Sequence, residues 1–228
     1  MNTGNHRGWD GNTLKWIALL SMLIDHIGVI YLSYGSHALL SVYSLSRYIG
    51  RLSFPLFCFL LVEGFYHTGN LRKYVQRMLG FAFLAEIPYD LAFGHKLIDV
   101  SEQNVMWTLL LGVIMMCFIE KFEYSFTAKM TVVLIAGFVA VLLKTDYSIW
   151  GILSIAIFYM QRYDRKNALL LTCFLMFAQG KMQSFGVLAI PFIMAYDGTK
   201  NDVKMPKYFF YAFYPVHILA LWGISLLA

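Results

Sequence analysis

An acidic residue and an imidazole lie side by side inside an apolar stretch near the start of the chain. Residues 14–33 read LKWIALLSMLIDHIGVIYLS, so Asp25 and His26 lie past the middle of a segment apolar enough to enter a lipid bilayer. A charged side chain at the centre of a bilayer costs roughly 2.5–3.5 kcal/mol on insertion scales. Ionisable residues kept at that depth often serve chemistry, and an imidazole titrates near neutral pH, as proton transfer requires. Asp25 and His26 are therefore our first candidates for catalytic residues.

Other polar residues fall at a similar depth in other apolar segments. Glu86 and Asp90 are four residues apart in LAEIPYDLAFG, so they share one face of a helix. Arg47 and Arg51 have the same spacing at the start of another segment. The remaining members of the set are Gln103, Asn104, Asp146 and His217. Together these positions predict a polar chamber in the half of the membrane that lies away from the N-terminus.

Asp25 is not the obvious partner of His26. Neighbouring residues on a helix point roughly 100° apart, so we expect the partner of His26 on another helix, with Glu86, Asp90 or an arginine as candidates. Asp25 shares its face with Gly28, and a glycine permits close approach of a second helix. A structural alternative stays open, because a buried Arg–Asp pair can exist to offset the desolvation of each charge.

The composition indicates that these residues are embedded in lipid. Of the 228 residues, 59% are hydrophobic and 14% are charged, with a mean hydropathy of +0.62. Soluble domains average about 25% charged residues, so this chain has too little polar surface to cover a soluble core. The three cysteines, Cys58, Cys117 and Cys173, lie in apolar runs without the spacing of a metal site or a disulfide framework. We expect no bound metal.

Nine apolar segments are candidates for transmembrane helices. About 30 Å of hydrocarbon needs about 20 helical residues at about 1.5 Å each. The segments are 13–33, 47–66, 75–94, 104–120, 128–144, 148–161, 167–179, 183–196 and 207–227. Pro55, Pro88 and Pro215 lie inside three of them and are predicted to kink the helices. No linker or repeat divides the series, so we predict an all-α polytopic membrane protein with a single domain over residues 1–228.

The basic residues orient this arrangement. If the N-terminus is cytoplasmic and all nine segments span, 13 of the 18 basic residues fall on the inner side. The inner set is Arg7, Lys15, Arg72, Lys73, Arg77, Lys121, Lys129, Arg162, Arg165, Lys166, Lys200, Lys204 and Lys207. This bias follows the positive-inside rule, so the sequence predicts a cytoplasmic N-terminus. The net charge of +5 then reflects contact with anionic lipid, and no nucleic-acid partner is expected.

The inner loops also contain candidates for binding a phosphorylated ligand from the cytoplasm. We take Glu63, near the inner end of the second segment, as lining a ligand tunnel or as supporting a helix contact. The basic candidates are Arg72, Lys73, Arg77, Lys204 and Lys207. No glycine-rich phosphate loop is present, so side chains and helix termini would hold such a ligand. Positive-inside topology alone is the alternative explanation of these charges.

Six stretches resemble the TraX family of membrane proteins, whose conjugation member acetylates the N-terminal amine of pilin. They occur in family order and cover nearly the whole chain. They are LKWIALLSMLIDHIG (14–28), GRLSFPLFCFLLVEGFYHTGN (50–70), RMLGFAFLAEIPYDLAF (77–93), QNVMWTLLLG (103–112), TDYSIWGIL (145–153) and KYFFYAFYPVHILAL (207–221). One departure is the segment YDGTKNDVKMPKYFF, which is charged where relatives often have a glycine-rich turn.

The resemblance implies a function. TraX proteins look like members of a wider group with the acyltransferase-3 enzymes and heparan-alpha-glucosaminide N-acetyltransferase. That group moves acyl groups from cytoplasmic acyl-CoA to acceptors across the membrane, and a first-helix histidine is catalytic. His26 occupies the matching position. The resemblance also implies a location in a bacterial inner membrane.

The residue analysis and the resemblance predict one mechanism. Acetyl-CoA would bind at the basic inner face, and His26 would deprotonate an acceptor amine or hydroxyl. Asp25, Glu86 or Asp90 would orient the imidazole. Candidates to hold the oxyanion or the substrate are Arg47, Arg51, Asn104, Tyr89, Tyr214 and His217. An acetyl-imidazole intermediate is a second route.

The partners expected are acetyl-CoA, an acceptor outside the cytoplasm (a peptide, lipid or sugar) and the lipid bilayer, with a homodimer left open. Two alternatives come from other classes. The first is a proton-coupled transporter of small solutes, because buried acids and histidines also form the proton relays of transporters. Against it, the sequence lacks the paired halves that many transporters have. The second alternative is a noncatalytic assembly factor.

Overall fold

The computed structural model of the protein describes residues 8–33, 37–122, 124–199 and 208–227. Within these ranges the chain is helical and contains no strand, which confirms the all-α prediction. The helices are α1 (Gly11–Ile27), α2 (His37–Gly50), α3 (Ser53–His67), α4 (Leu71–Tyr89), α5 (Val105–Ile119), α6 (Phe126–Leu142), α7 (Ser148–Met160), α8 (Arg165–Ala178), α9 (Lys181–Ser184), α10 (Ile190–Ala195) and α11 (Phe209–Ser225).

Some of these helices join into longer units. A π-helical turn, Gly28–Leu32, continues α1, and another, Asp90–Gly94, continues α4. The short helices α9 and α10 are linked by the 3-10 turn Phe185–Ala189. With α2 and α3 taken as one bent unit, the described residues form nine helical units, the number expected from the sequence.

The second unit differs from its predicted form. It begins at His37 and not near residue 47, so Arg47 lies in the last turn of α2 and Arg51 lies at the bend between α2 and α3. Pro55 stands in the first turn of α3, where the missing N–H of a proline costs no helical hydrogen bond. The expected kink at Pro55 is therefore wrong, and the bend precedes it. Pro88 and Pro215 do lie inside their helices.

Several helices have the apolar character of membrane segments. Gly11–Leu32, Leu39–His67 and Val105–Phe122 are long and apolar enough to cross a bilayer. The apolar helices α6, α7 and α11 are shorter. Large apolar side chains cover outer faces of the bundle, among them Leu134 and Phe138 on α6 and Leu170 and Phe174 on α8. Such surfaces need lipid rather than water against them, so the chain is a membrane protein.

Polar side chains fix where the helices begin. The carboxylate of Asp10 accepts a hydrogen bond from the Thr13 amide at 2.8 Å, and the amide oxygen of Asn70 accepts one from Lys73 at 2.9 Å. Asp164 holds the first turn of α8 in the same way. Each cap satisfies an amide that has no partner within its helix. The starts of α1, α4 and α8 are thus set by the local sequence.

Loop contacts define two ends of the bundle. At the N-terminal end, the Trp9 amide donates to the Ala195 carbonyl at 2.8 Å, and Arg165 donates to the Tyr196 carbonyl at 2.6 Å. At the opposite end, the Gln103 amide donates to the Lys144 carbonyl at 2.9 Å. The N-terminal end therefore carries the basic starts of α1, α4 and α8, and the opposite end carries the polar set that includes Asp25 and His26.

Candidate functional site

The polar centre of the bundle is a pair of histidines. His26 on α1 and His217 on α11 approach through Nδ1 of His26 and Nε2 of His217 at 2.7 Å. His217 is buried and His26 is half-buried. The groups around them are aromatic: the ring centroid of Phe93 lies 5.3 Å from that of His26, and the ring of Tyr214 lies at 6.3 Å. A histidine 191 residues away in sequence is thus the partner of His26.

Asp25 belongs to a second cluster with two arginines. Its Oδ2 accepts from Arg47 Nη1 at 2.8 Å and from Arg51 Nη2 at 2.9 Å. Arg51 is only 7% exposed, so this carboxylate offsets a charge that water cannot reach. Both guanidiniums lie close enough for their charges to act on His26. Asp25 is therefore the arginine anchor that the sequence left open as an alternative.

Two glycines allow this cluster to form. Gly28, the first residue of the π-helical turn that continues α1, faces Ser46. Gly50 at the end of α2 faces the side chain of Asp25 so closely that no Cβ could be added without displacing it. Because α1 and α2 pack at backbone distance here, the short side chain of Asp25 reaches both arginines. The close approach predicted for Gly28 is confirmed.

The other two acidic candidates do not contact His26. Glu86 accepts hydrogen bonds from Asn104 Nδ2 at 2.6 Å and from Trp107 Nε1 at 2.9 Å. Asp90 Oδ2 accepts from the Asp99 amide at 2.9 Å. These bonds tie α4 to the start of α5 and to the loop that precedes it. The expectation that Glu86 or Asp90 orients His26 is not met, because the hydrogen-bond partner of His26 Nδ1 is His217.

The candidates for oxyanion stabilisation are separated by their contacts. Asn104 is fully buried and uses its amide group to cap α5 and to bind Ala82 and Glu86, so it has no donor left for a substrate. Tyr89 contacts Phe93 at a centroid distance of 5.1 Å, and Phe93 in turn contacts His26 at 5.3 Å. Tyr214 is adjacent to both histidines. Of the other candidates, His217 is itself the partner of His26, and Arg47 and Arg51 are bonded to Asp25, the neighbour of His26 in sequence.

A cavity of about 400 Å³ runs from the N-terminal end of the bundle towards this centre. Its rim includes Lys15 and Arg77, and its deep end includes Met22, Val105 and Tyr214. His26 does not line it; the ring of Tyr214 lies 6.3 Å from that of His26. The cavity therefore links the basic end with the neighbour of the histidine pair.

Two of the residues predicted for ligand binding line this cavity. Arg77 packs over the ring of Tyr74, and its buried Nε has no hydrogen-bond partner among the described residues. Glu63 accepts a hydrogen bond from the Tyr196 hydroxyl at 3.0 Å.

The other predicted ligand-binding residues lie elsewhere. Arg72 and Lys73 are exposed at the start of α4, outside the cavity lining, as topology alone would place them. Lys204 and Lys207 lie outside the described residues.

A second cavity, of about 550 Å³, opens at the opposite end of the bundle. Glu102, Asp146, Tyr147 and Gln183 line it, and burial raises the pKa of Asp146 to about 6. Arg51 donates to the Tyr147 hydroxyl and to Gln183 Oε1, both at 3.3 Å, so one arginine joins this cavity to Asp25. The sequence pointed to Asp146 through its depth, but nothing in it marked Tyr147 or Gln183.

Comparison with known proteins identifies the family. The TraX protein family matches residues 10–225, nearly the whole chain. The chain belongs to the TraX family. A relative of this TraX-family chain, described as a probable fimbrial assembly protein FimC of serogroup H1 from Dichelobacter nodosus, is 33% identical over 91% of this chain and 92% of its own length. An uncharacterized protein of Rickettsia prowazekii is 27% identical over 94% of this chain and 80% of its own length. No solved structure matches the chain significantly.

Proposed function

We propose that this TraX-family protein is a membrane-embedded acyltransferase that moves an acetyl group from cytoplasmic acetyl-CoA to an amine or hydroxyl at the outer side of the membrane. The observation that carries the proposal is the cavity of about 400 Å³ that leads from the basic end of the bundle to Tyr214, beside His26. A long thin donor bound there would have its charged part at the rim and its acyl end next to an imidazole.

The rim and walls of the cavity suit such a donor. Arg77 offers a guanidinium N–H without a partner, and guanidiniums bind phosphates through charge-assisted hydrogen bonds. Deeper in, Met78, Met106 and Leu109 form an apolar wall for the acyl-bearing arm. Glu63, which lies at the basic end beside Tyr196, would accept a hydrogen bond from an N–H of the donor.

The reaction would take place at His26. The acceptor nitrogen or oxygen attacks the thioester carbon while His26 takes its proton, the C–S bond breaks, and the departing thiolate receives that proton from His26. A positioned general base of this kind contributes about 10²–10⁴ in rate. Atoms and charges balance without a metal or a redox group, and the products are the acetylated acceptor and free CoA.

The arginine cluster would stabilise the developing oxyanion. Arg47 and Arg51 share the single carboxylate of Asp25, so the cluster keeps one positive charge in excess. That charge acts on the His26 site through a medium of low dielectric constant, where it counts for more than in water. Arg47, half-buried with 21% of its side chain exposed, is the better placed of the two to turn towards a substrate.

The second cavity would admit the acceptor. Glu102 and Asp146 in its lining favour a cationic group, such as a protonated amine, and one of these carboxylates would take its extra proton before the neutral amine attacks. Arg51 connects the wall of this cavity to the reaction centre. The peptide N-terminus of a pilin is one such acceptor, and the Dichelobacter nodosus relative described as a fimbrial assembly protein supports that choice.

The topology follows from the same proposal. The N-terminal end of the bundle, with Lys15, Arg77 and Arg165, would face the cytoplasm of a bacterial inner membrane, as the positive-inside rule predicts. All nine helical units would then span, the shorter ones with the help of local thinning of the bilayer.

Release of free CoA from acetyl-CoA by the purified protein in nanodiscs tests the proposal. Wild type is compared with His26→Ala and with the matched variant His95→Asn, which changes an exposed histidine in a loop and keeps a residue type that tolerates its positive φ. We expect slow CoA release from wild type and His95→Asn and none from folded His26→Ala. CoA release that is equal in all three would refute the assignment of His26.

A further inference from the structure

The two histidines of the site are coplanar and meet edge to edge. Their ring planes differ by 4° and their centroids lie 5.0 Å apart. Nδ1 of His26 and Nε2 of His217 are 2.7 Å apart. This distance plus the centroid-to-atom radius of each ring adds up to the distance between the centroids. Both nitrogens therefore lie on the line between the centroids, within the ring planes. This is the geometry of a well-aligned N–H···N hydrogen bond.

A backbone carbonyl decides which nitrogen carries the hydrogen. Nδ1 of His217 lies 2.6 Å from the carbonyl oxygen of Phe213, four residues earlier on α11. A carbonyl oxygen only accepts, so Nδ1 of His217 is protonated. A neutral imidazole has one N–H, which leaves a lone pair on Nε2 of His217. That lone pair must accept from Nδ1–H of His26, and the free lone pair of His26 is then on Nε2.

The surroundings favour two neutral imidazoles over a charged pair. The rings packed against them are those of Phe93, Phe213 and Tyr214. Asp25, the nearest acid in sequence, is taken up by Arg47 and Arg51, and Glu86 and Asp90 are bonded elsewhere. An imidazolium without a carboxylate in such a place would bear the full cost of burying a charge. The neutral assignment of hydrogens is therefore the stable one.

We propose that His217 is a positioning residue that holds His26 as its Nδ1–H tautomer and so presents Nε2 of His26 as the base. That Nε2 of His26 acts as a base rests on the proposed function, whereas the tautomer follows from the geometry alone. His217 thus does for His26 what a carboxylate does in a hydrolase triad.

A proton relay follows from the same contacts. When Nε2 of His26 takes a proton from the acceptor, its Nδ1–H already points at Nε2 of His217. A shift of that hydrogen across the 2.7 Å bond moves the positive charge to His217, where the Phe213 carbonyl accepts from Nδ1–H. The reverse shift returns the proton for delivery to the leaving thiolate.

Nitrogen-15 NMR of the protein labelled at histidine tests the tautomer directly. We expect the wild-type spectrum to show His26 and His217 both as Nδ1–H forms, assigned by their loss in His26→Gln and His217→Phe. In His217→Phe the partner is gone, and His26 should shift towards the Nε2–H form. His217→Gln, whose amide oxygen can accept from Nδ1–H, should restore the Nδ1–H form. His67→Phe is the matched control, since Nδ1 of His67 bonds the Glu63 carbonyl four residues earlier without touching His26.

Kinetics separate positioning from mere stability. His217→Phe should lower kcat for CoA release by about 10²–10⁴-fold with KM for acetyl-CoA nearly unchanged, and His217→Gln should recover part of the loss. An Nε2–H form of His26 in wild type, or an unchanged His26 signal in His217→Phe, would overturn the proposal whatever the activity. Wild type with the expected tautomers but without CoA release would overturn the proposed function instead.

Discussion

Replacing Asp25 with asparagine should be among the most damaging isosteric changes in the protein. The carboxylate is the shared acceptor of Arg47 and Arg51 at 2.8 and 2.9 Å, and its own side chain is only 11% exposed. Asparagine keeps the shape but removes the one carboxylate that both guanidiniums bind. Removing one partner of a buried ion pair costs about 3–5 kcal/mol. At about 2–4 °C per kcal/mol for a chain of this size, the Tm should fall by on the order of 10 °C.

The assay is thermal unfolding of purified protein in detergent, followed by circular dichroism. Asp99→Asn is the matched control, because Asp99 also pairs with a cation but does so at 3.8 Å with a lysine that is 69% exposed. We expect its Tm to stay at the wild-type value, since exposed ion pairs contribute little. If Asp25→Asn and Asp99→Asn shift the Tm alike, the arginine cluster is not the anchor of α1 that we infer.

Three further predictions follow from the packing and the cavities. Gly50→Ala should lower the Tm because its methyl group displaces Asp25, whereas Gly223→Ala, which meets no neighbour, should not. Arg77→Gln should raise KM for acetyl-CoA about tenfold, because one hydrogen bond to a charged group is lost. Lys166→Gln, a change at an exposed lysine, should leave KM unchanged. Asp146→Asn should raise the Tm relative to wild type at pH 7.5 but not at pH 4.5. The folded state raises the pKa of Asp146 to about 6, so its stabilisation is present near pH 4 and is lost as the pH rises through 6.

The sequence was sufficient for the helical plan and for the end of the bundle at which the polar residues lie. Apolar length and N-capping residues are local properties, so the nine helical units and most of their bounds could be predicted. The start of α2 at His37 could not, because HALLSVYSLS mixes polar and apolar residues and only packing against α1 selects the helix. The bend before Ser53 lies next to Gly50, whose close contact with Asp25 is likewise a property of the packed bundle.

The partners within the site were harder to predict than its members. His26, Asp25, Arg51 and His217 were all identified by their depth, since an ionisable residue in an apolar segment is conspicuous. Which of these residues pair depends on the rotation of each helix about its axis. That rotation cannot be predicted from the sequence of one segment, because it is set by packing against the other helices. The histidine pair brings together residues 191 positions apart, which only the packed bundle decides.

The most direct test of the central claim is the side of the membrane from which acetyl-CoA is used. Inside-out and right-side-out vesicles from cells that produce the protein are supplied with acetyl-CoA, which does not cross the bilayer, and free CoA is measured. We predict CoA release by inside-out vesicles, none by right-side-out vesicles until they are permeabilised, and none in either case from His26→Ala. Equal release by both kinds of sealed vesicle, or release that persists in His26→Ala, would contradict a cytoplasmic donor that reacts beside His26.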